Sequence, residues 1–289
     1  MKYVDLIKVI RKKYNKLSKG HKLIADFIMK HYDTAAFMTA ATLGNTVGVS
    51  ESTVVRFANA LGYSGYRELQ KDLQELIKNK LTTVQRISLS TDFTDYKNTL
   101  REVIKKDIDN IENILNDIDY NAFHEAVDIT LKAKHIYILG LRSSSFLAGY
   151  LGFYLKFLLQ NVKVISAGPN DVFEQLLKAS EDDLIIGISY PRYSKRTLEA
   201  LDYGKEKGCN IISITDSLMS PTTQYADSVL VASSNMLSFI DSLVAPMSLI
   251  NAFIISIGIE KGEYLTSYFK DLEKIWRKYD VYSTNNNKD

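Results

Sequence analysis

The chain has 289 residues, of which 46% are hydrophobic and 24% charged, a size and balance that suit two globular domains. Its one cysteine, Cys209, excludes an internal disulfide and a cysteine-built zinc site, and reads as a small buried apolar residue. The net charge of +2 hides an asymmetry, with 14 Lys+Arg against 7 Asp+Glu in residues 1–80 and 22 against 27 in the remainder: a basic head on an acidic body is expected to meet a polyanion.

Met1 to Lys13 lacks the apolar core of an export signal, so the cytoplasm is the expected location. Leu23, Ile24, Phe27 and Ile28 predict a helix with one apolar face, and Ser18 is its expected cap. Asp33 or Thr34 is expected to cap a short turn through Phe37. Ala40 to Leu61 then reads as helix, tight turn, helix. Gly48 falls where the turn needs a positive φ, and Gly44, four residues earlier, lets the two helices approach. Val47, Val49, Val54 and Phe57 are expected inside, and Ser50 caps the second helix. Glu51, Ser52, Thr53, Arg56 and Asn59 are left on or near the exposed face.

In a helix-turn-helix the second helix enters the major groove and its early residues reach base edges. Ser50, Ser52, Thr53, Arg56 and Asn59 are therefore candidate contacts to double-stranded DNA. Arg56 suits a bidentate contact to guanine or a phosphate pair. Lys19, Lys22, Arg67 and Lys71 are candidate phosphate clamps beside it. Residues 66–80 predict a further helix with Leu69, Leu73, Leu76 and Ile77 on one side.

The run IADFIMKHYDTAAFMTAATLGNTVGVSESTVVRFANALGYSGYRELQ resembles the N-terminal domain of the RpiR-type bacterial transcriptional regulators, over about residues 20–75. The resemblance implies a winged or extended helix-turn-helix that acts as a dimer on a palindromic operator.

Residues 81–95 are polar and read as a linker. Asn98 to Asn116 returns to helical spacing through Val103, Ile104, Ile108, Ile111 and Leu115, and is expected to pack on the second domain or on a partner subunit. From about residue 120, short β-branched runs alternate with helical stretches: 135–140, 162–166, 184–189, 210–215 and 228–232. Continuous apolar strands between helices predict a five-stranded parallel sheet in a three-layer α/β sandwich. Leu243 to Ile259 is apolar but is broken by Pro246, Ser248, Asn251 and Ser256, and no membrane span is expected. The tail from Ser283 to Asp289 is expected to fray. The expected division is an all-α DNA-binding domain over 1–80, a linker and connecting helix over 81–118, and the α/β domain over 119–289.

Ligands of such sheets bind beyond the carboxyl ends of the strands. There Gly140-Leu141-Arg142-Ser143-Ser144-Ser145 offers hydroxyls, N–H groups and a helix N-terminus to an anion. After the third strand, Ser189, Ser194 and Thr197 supply hydroxyls, and Arg192, Lys195 and Arg196 supply charge. Together the two loops suit a phosphorylated polyol.

The stretches YILGLRSSSFLAGYL, DDLIIGISYPRYSKRTLEAL and GCNIISITDSLMSP resemble the sugar isomerase (SIS) domain that follows the helix-turn-helix in the same family. The resemblance covers about residues 120–260 and implies a sugar-phosphate effector held by Ser143, Ser144, Ser189, Ser194 and Thr197, with Arg142 and Arg192 adjacent. The family's loop is close to Ser-x-Ser-Gly-x-Thr. Here Pro191-Arg192-Tyr193 is interposed and Lys195 stands where Gly is usual, which leaves the ligand's identity open.

SIS domains also serve as phosphosugar isomerases, the alternative function. Aldose–ketose isomerisation needs a general base. None of His21, His31, His124 and His135 falls in the two loops, and Glu174 is the best candidate base. The sequence therefore reads as a sensor rather than an enzyme, with no catalytic residue, cofactor or metal. A homodimer or homotetramer is expected, assembled through the α/β domains and the apolar Leu243–Ile259 helix.

Overall fold

The computed structural model describes residues 6–77, 83–89, 96–168, 170–235 and 238–282. The expected frayed tail, Ser283 to Asp289, lies outside them. The chain forms two compact units that divide between Gln85 and Arg86.

The first unit is helical: α1 (Leu6–Lys13), a 3-10 turn (Tyr14–Lys16), α2 (Lys19–Ala35), α3 (Ala40–Val47), α4 (Glu51–Leu61) and α5 (Tyr66–Ile77). Ser18 caps α2 by accepting the His21 N–H. Its buried face is Ile24, Ala25 and Ile28, while Leu23 is exposed and Phe27 only half-buried. Asp33 and Thr34 fall inside α2 rather than at the head of a separate turn. Helix α2 runs through a kink at His31 as far as Ala35, and the amides of Ala36 and Phe37 bond back to Tyr32 and Thr34. The next cap is Thr39, which accepts the Thr42 N–H. Leu6, Ile10, Leu43, Val54, Phe57, Leu69 and Leu73 complete the core. The side chains of Leu76 and Ile77 lie outside the described set.

Part of the expected linker is helical. In α6 (Thr83–Leu89) Arg86 is buried and makes a two-pronged bond to Asp241, at 2.8 and 3.0 Å. Then follow α7 (Tyr96–Asp117), α8 (Tyr120–Lys132), β1 (Ile136–Gly140), α9 (Ser144–Leu158), β2 (Val162–Ile165), α10 (Val172–Leu176), β3 (Leu184–Ile188), α11 (Lys195–Glu206), β4 (Asn210–Thr215), β5 (Ser228–Val231) and α12 (Val244–Lys278). Helix α7 packs against α12.

The sheet is parallel, in the order β2-β1-β3-β4-β5. Side chains alternate between its faces. Ile136, Ile138, Ile186, Ile188, Ile212 and Ile214 pack with Leu147, Leu151 and Leu155 of α9 and Leu249, Phe253 and Ile257 of α12. Tyr137, Leu139, Ile185 and Ile211 pack on the other face with Val172 and Leu176 of α10 and Ala200 and Leu201 of α11. Both faces are covered, which is why β1 and β3 are buried along their whole length.

The apolar stretch of α12 needs a correction. Val244 to Gly262 is long and apolar enough to cross a membrane by length and composition, because the four polar or proline breaks are too few to dilute it. Here its inner face, Ala245, Leu249, Ile250, Phe253 and Ile257, is buried in the core. The helix breaks at Gly262, which takes φ 48° and ψ −122°.

At the amino ends of the strands, Asp183 is buried and gathers four donors. They are the backbone N–H and ring Nδ1 of His135, at 3.1 and 2.8 Å, and the N–H and hydroxyl of Ser180, at 2.8 and 3.0 Å. A carboxylate only accepts, so Nδ1 of His135 carries the proton. Burial alone would push the Asp183 carboxyl up, but these bonds outweigh it and hold it below the usual range. A lowered folded pKa adds stability that is present above the unfolded value of about 3.9 and lost as pH falls through the folded one. Asp183→Asn is therefore expected to cost about 1–3 kcal/mol at neutral pH and to flatten the acid limb of the stability curve. Denaturant melts from pH 7 to pH 3 check this, and an unchanged acid limb would refute it.

Candidate functional site

Two places concentrate the candidate residues, one in each unit. In the first, α3 ends at Gly48 in the left-handed conformation, φ 76° and ψ 34°, which a residue without Cβ adopts at little cost. Gly44 is where the two helices touch, since a Cβ there would lie 2.7 Å from the Val49 carbonyl oxygen. Val47 and Val49 are half-buried, and the interior is made instead by Val54, Phe57, Ala58 and Leu61.

Ser50 caps α4 by accepting the Thr53 N–H. Its hydroxyl is also 2.9 Å from that of Ser52 and 2.8 Å from that of Thr53, and Arg56 donates to Thr53 at 3.2 Å. Thr53 is half-buried, with Gly20 of α2 beside its methyl group. Ser52, Arg56 and Asn59 are exposed and spaced four and three apart, so they share one face of α4. His21 lies edge-on to Phe57, and burial, followed by the charge of Arg56, lowers its pKa. Among the expected clamps, Lys22 stands over the Tyr14 ring, 5.5 Å from its centre. Lys19, Arg67 and Lys71 are exposed, Arg67 and Lys71 one turn apart on α5. A residue missed in the sequence is Lys13, whose ammonium donates to the carbonyls of Ala60 and Leu61 at the end of α4. Its signal is long-range and invisible to local spacing.

In the second unit the strand order reverses between β1 and β3: α9 leads from β1 out to β2, while β3 is followed by β4 and β5 on the other side. A crevice opens at such a switch point beyond the carboxyl ends of the strands. Gly140 of β1 pairs with Ile188 of β3, so Arg142 and Ser189 begin from neighbouring strand ends. The first turn is tight, since a Cβ on Gly140 would lie 2.5 Å from the Ser144 carbonyl oxygen. Arg142 takes φ 56° and is exposed. Ser143 occupies the cap position of α9 but its side chain makes no capping bond, while Ser144 is buried. Ser145 is turned to a structural task, donating to the Arg142 carbonyl at 2.6 Å.

In the other loop, Ser189 and Tyr190 are buried. Arg192 is exposed at φ 67°. Ser194 caps α11 by accepting the Thr197 N–H. Thr197 is fully buried, and neither its hydroxyl nor that of Tyr190 has a hydrogen-bond partner. Burial pushes the Tyr190 phenol well above its ordinary pKa. Tyr193 donates to Asp216, just past β4, at 2.7 Å. The loop's Arg196 and Lys195 make ion pairs with neighbouring carboxylates. Arg196 pairs with Asp171 at 2.5 Å and Glu199 at 3.3 Å and lies over the Phe173 ring, and Lys195 reaches Glu199 at 3.4 Å.

The candidate base of the alternative reading, Glu174, is exposed and accepts the Asp171 N–H at 3.0 Å in a reciprocal cap of α10. His135 is bound to Asp183 at the opposite, amino ends of the strands. The two strand ends carry two helix N-termini, five serine and threonine hydroxyls at buried or capping positions, and the exposed Arg142 and Arg192, a set of groups that suits an anion.

Residues 4–80 match the model of the helix-turn-helix domain of the rpiR family, and residues 130–256 match that of the SIS domain. Among similar proteins, an uncharacterized HTH-type transcriptional regulator of Haemophilus influenzae is 29% identical over 75% of this chain and 76% of its own. The HTH-type transcriptional regulator HexR of Pseudomonas aeruginosa is 26% identical over 73% of each chain. Among solved structures, the sugar isomerase domain of an RpiR transcription factor from Sphaerobacter thermophilus superposes with a TM-score of 0.59 at 28% identity, over 61% of this chain and 99% of that one. The Vibrio vulnificus NanR protein complexed with ManNAc-6P gives 0.57 at 19% identity, over 97% of this chain and all of that one, and shares the fold.

Proposed function

The chain belongs to the rpiR family of helix-turn-helix regulators with a SIS domain, and from that premise we propose that it is a transcriptional regulator of sugar metabolism genes whose operator affinity is set by a phosphorylated sugar. Residues 1–80 are the DNA-binding head, 81–118 the connection and 119–289 the effector-binding body. The protein works in the cytoplasm and binds its effector without turning it over.

The observation that carries the effector reading is Thr197. A buried hydroxyl without a partner is costly, and this one sits in the first turn of α11, three residues past its cap. A phosphate oxygen there would accept from it and meet the free N–H groups of the turn. Ser143, Ser144, Ser189 and Ser194 complete the hydroxyl set, with Arg142 and Arg192 supplying charge. The test is thermal unfolding against a panel of sugar phosphates and their unphosphorylated parents. A ligand that binds the native state raises the midpoint by mass action. A shift with a phosphate and none with its parent sugar is expected, and no shift across the panel would overturn the reading.

On the head, Ser52, Arg56 and Asn59 form the row that faces the major groove, with Ser50 and Thr53 fixing the entry of the helix. Lys22 and Arg67 lie against the phosphates. Arg56→Ala is expected to cost about 1–3 kcal/mol of operator affinity, the worth of one bidentate base contact. If Arg56 instead pairs with phosphate, the loss is uniform across sequences and the salt dependence weakens by about one counterion. Fluorescence titration of the operator and a scrambled duplex at two salt concentrations separates these outcomes, and unchanged affinity would remove Arg56 from the interface.

Two copies are needed to read a palindrome. On α12, Ile255 and Ile259 are exposed opposite the buried face, and they form the surface through which the SIS domains associate.

A further inference from the structure

Helix α7 carries more apolar surface than the fold covers. Ile114 packs on the core of the second unit, Asn110 is buried, and Asp107 accepts a hydrogen bond from Ser242. The uncovered part is a stripe at intervals of three and four: Tyr96, Leu100, Ile104, Ile108, Ile111 and Leu115. Leu100 is 72% exposed and Leu115 70%, Tyr96, Ile104 and Ile108 are also exposed, and Ile111 is half-buried. That spacing keeps the six side chains on one winding stripe of the helix.

The charges beside the stripe say what covers it. Arg101 and Lys105 are exposed on its flank in the N-terminal half of the helix, and Asp109 and Glu112 are exposed in the C-terminal half. A second α7 laid antiparallel brings each basic half against the acidic half of its mate, whereas a parallel mate would set like against like. The apolar residues agree with this arrangement. In one two-fold register Ile104 meets Ile108, Leu100 meets Ile111 and Tyr96 meets Leu115, which is the self-complementarity an isologous contact requires.

We propose that the outer face of α7 is a contact to a second copy of this chain, with the two helices antiparallel about an axis near Lys106. It adds a second self-interface to the one on α12 and lies in the helix that follows the connection from the head. The inference stands on α7 alone and does not depend on the effector pocket.

Cysteine trapping on the full chain tests it. The native Cys209 is buried, so its background is low. Leu100→Cys with Ile111→Cys is expected to give a covalent dimer on mild oxidation. Eleven residues apart on one helix, the two thiols are separated by about 16 Å and cannot bridge within a chain. Leu100→Cys alone is expected to remain monomeric on a denaturing gel. A dimer from the single variant would show parallel pairing, and no dimer from the double variant would show that the stripe is not a self-contact; either result overturns the proposal. Charge reversal gives an independent reading. Arg101→Glu with Lys105→Glu should raise the dissociation constant at least tenfold in sedimentation velocity, and adding Asp109→Lys with Glu112→Lys should restore it. A parent and variants of equal affinity would also refute the contact.

Discussion

Thr197→Val will give a protein that unfolds no earlier than the parent and no longer gains stability from a sugar phosphate. The hydroxyl that valine removes is buried and unpartnered, so the ligand-free protein loses no hydrogen bond and sheds a desolvated group. Valine has the shape of threonine, so the methyl group takes the volume that the buried hydroxyl leaves. In the liganded protein the same change removes a hydrogen bond to a charged oxygen, worth about 1.5–3 kcal/mol and so roughly ten- to hundredfold in Kd. Unfolding midpoints with and without the effector, backed by calorimetric titration, measure both sides. Ser189→Ala with Ser194→Ala should also abolish the response while leaving operator binding in place, but Ser194 is a cap and its loss costs about 1 kcal/mol of stability by itself. Thr197→Val has no such cost, and a full response from that variant would remove Thr197 from the pocket.

Gly44→Ala is expected to damage the head more than any single loss from its exposed face. The new Cβ would lie 2.7 Å from the Val49 carbonyl oxygen and 3.3 Å from the Glu51 nitrogen, both backbone atoms that cannot rotate away. Relief requires α3 and α4 to part, an overpacking cost of about 1–3 kcal/mol. It also re-aims the row of Ser52, Arg56 and Asn59, so operator affinity should fall beyond the loss from Arg56→Ala. Gly48→Ala is the control. Open space surrounds that position, and only the positive φ is unfavourable, at about 1–2 kcal/mol. Helical circular dichroism and operator titration on the two variants should rank Gly44→Ala as the weaker binder; the reverse order would mean that turn conformation, not helix contact, governs the head.

The parts of the fold that were legible in the sequence were those encoded locally. The five β-branched runs end within a residue of the strands because both faces of the sheet are covered, which leaves no polar alternation to blur them. Gly44, Gly48 and Ser50 announce the helix pair because each answers a steric or capping need within ten residues. What local spacing missed was settled by distant partners. Arg196 looks like a free cation in its loop, yet Asp171 and Phe173, more than twenty positions earlier, hold it. The orphan hydroxyls of Thr197 and Tyr190 depend on burial, which no short window reports. The polar stretch before Tyr96 reads as a linker because the apolar signal is absent, while the structure anchors part of it through a buried arginine whose partner, Asp241, lies 155 residues on. The short turn expected through Phe37 is present, closed by the Phe37 N–H on the Thr34 carbonyl, but it follows directly on α2, which a kink at His31 carries through Asp33 and Thr34.

Lys13 closes the last turn of α4 by donating to the carbonyls of Ala60 and Leu61, groups that would otherwise face water or nothing. Helix α4, the proposed reading helix, is therefore finished by a side chain from α1. A fragment cut at Ser18, where the helix-turn-helix pattern begins to be recognisable, would keep every residue proposed to face the groove and still lose the fastening at the far end of the helix. Acylation of that one lysine would have the same result without cutting the chain, because an amide nitrogen has a single proton to share between two carbonyls and no charge to set against the helix dipole.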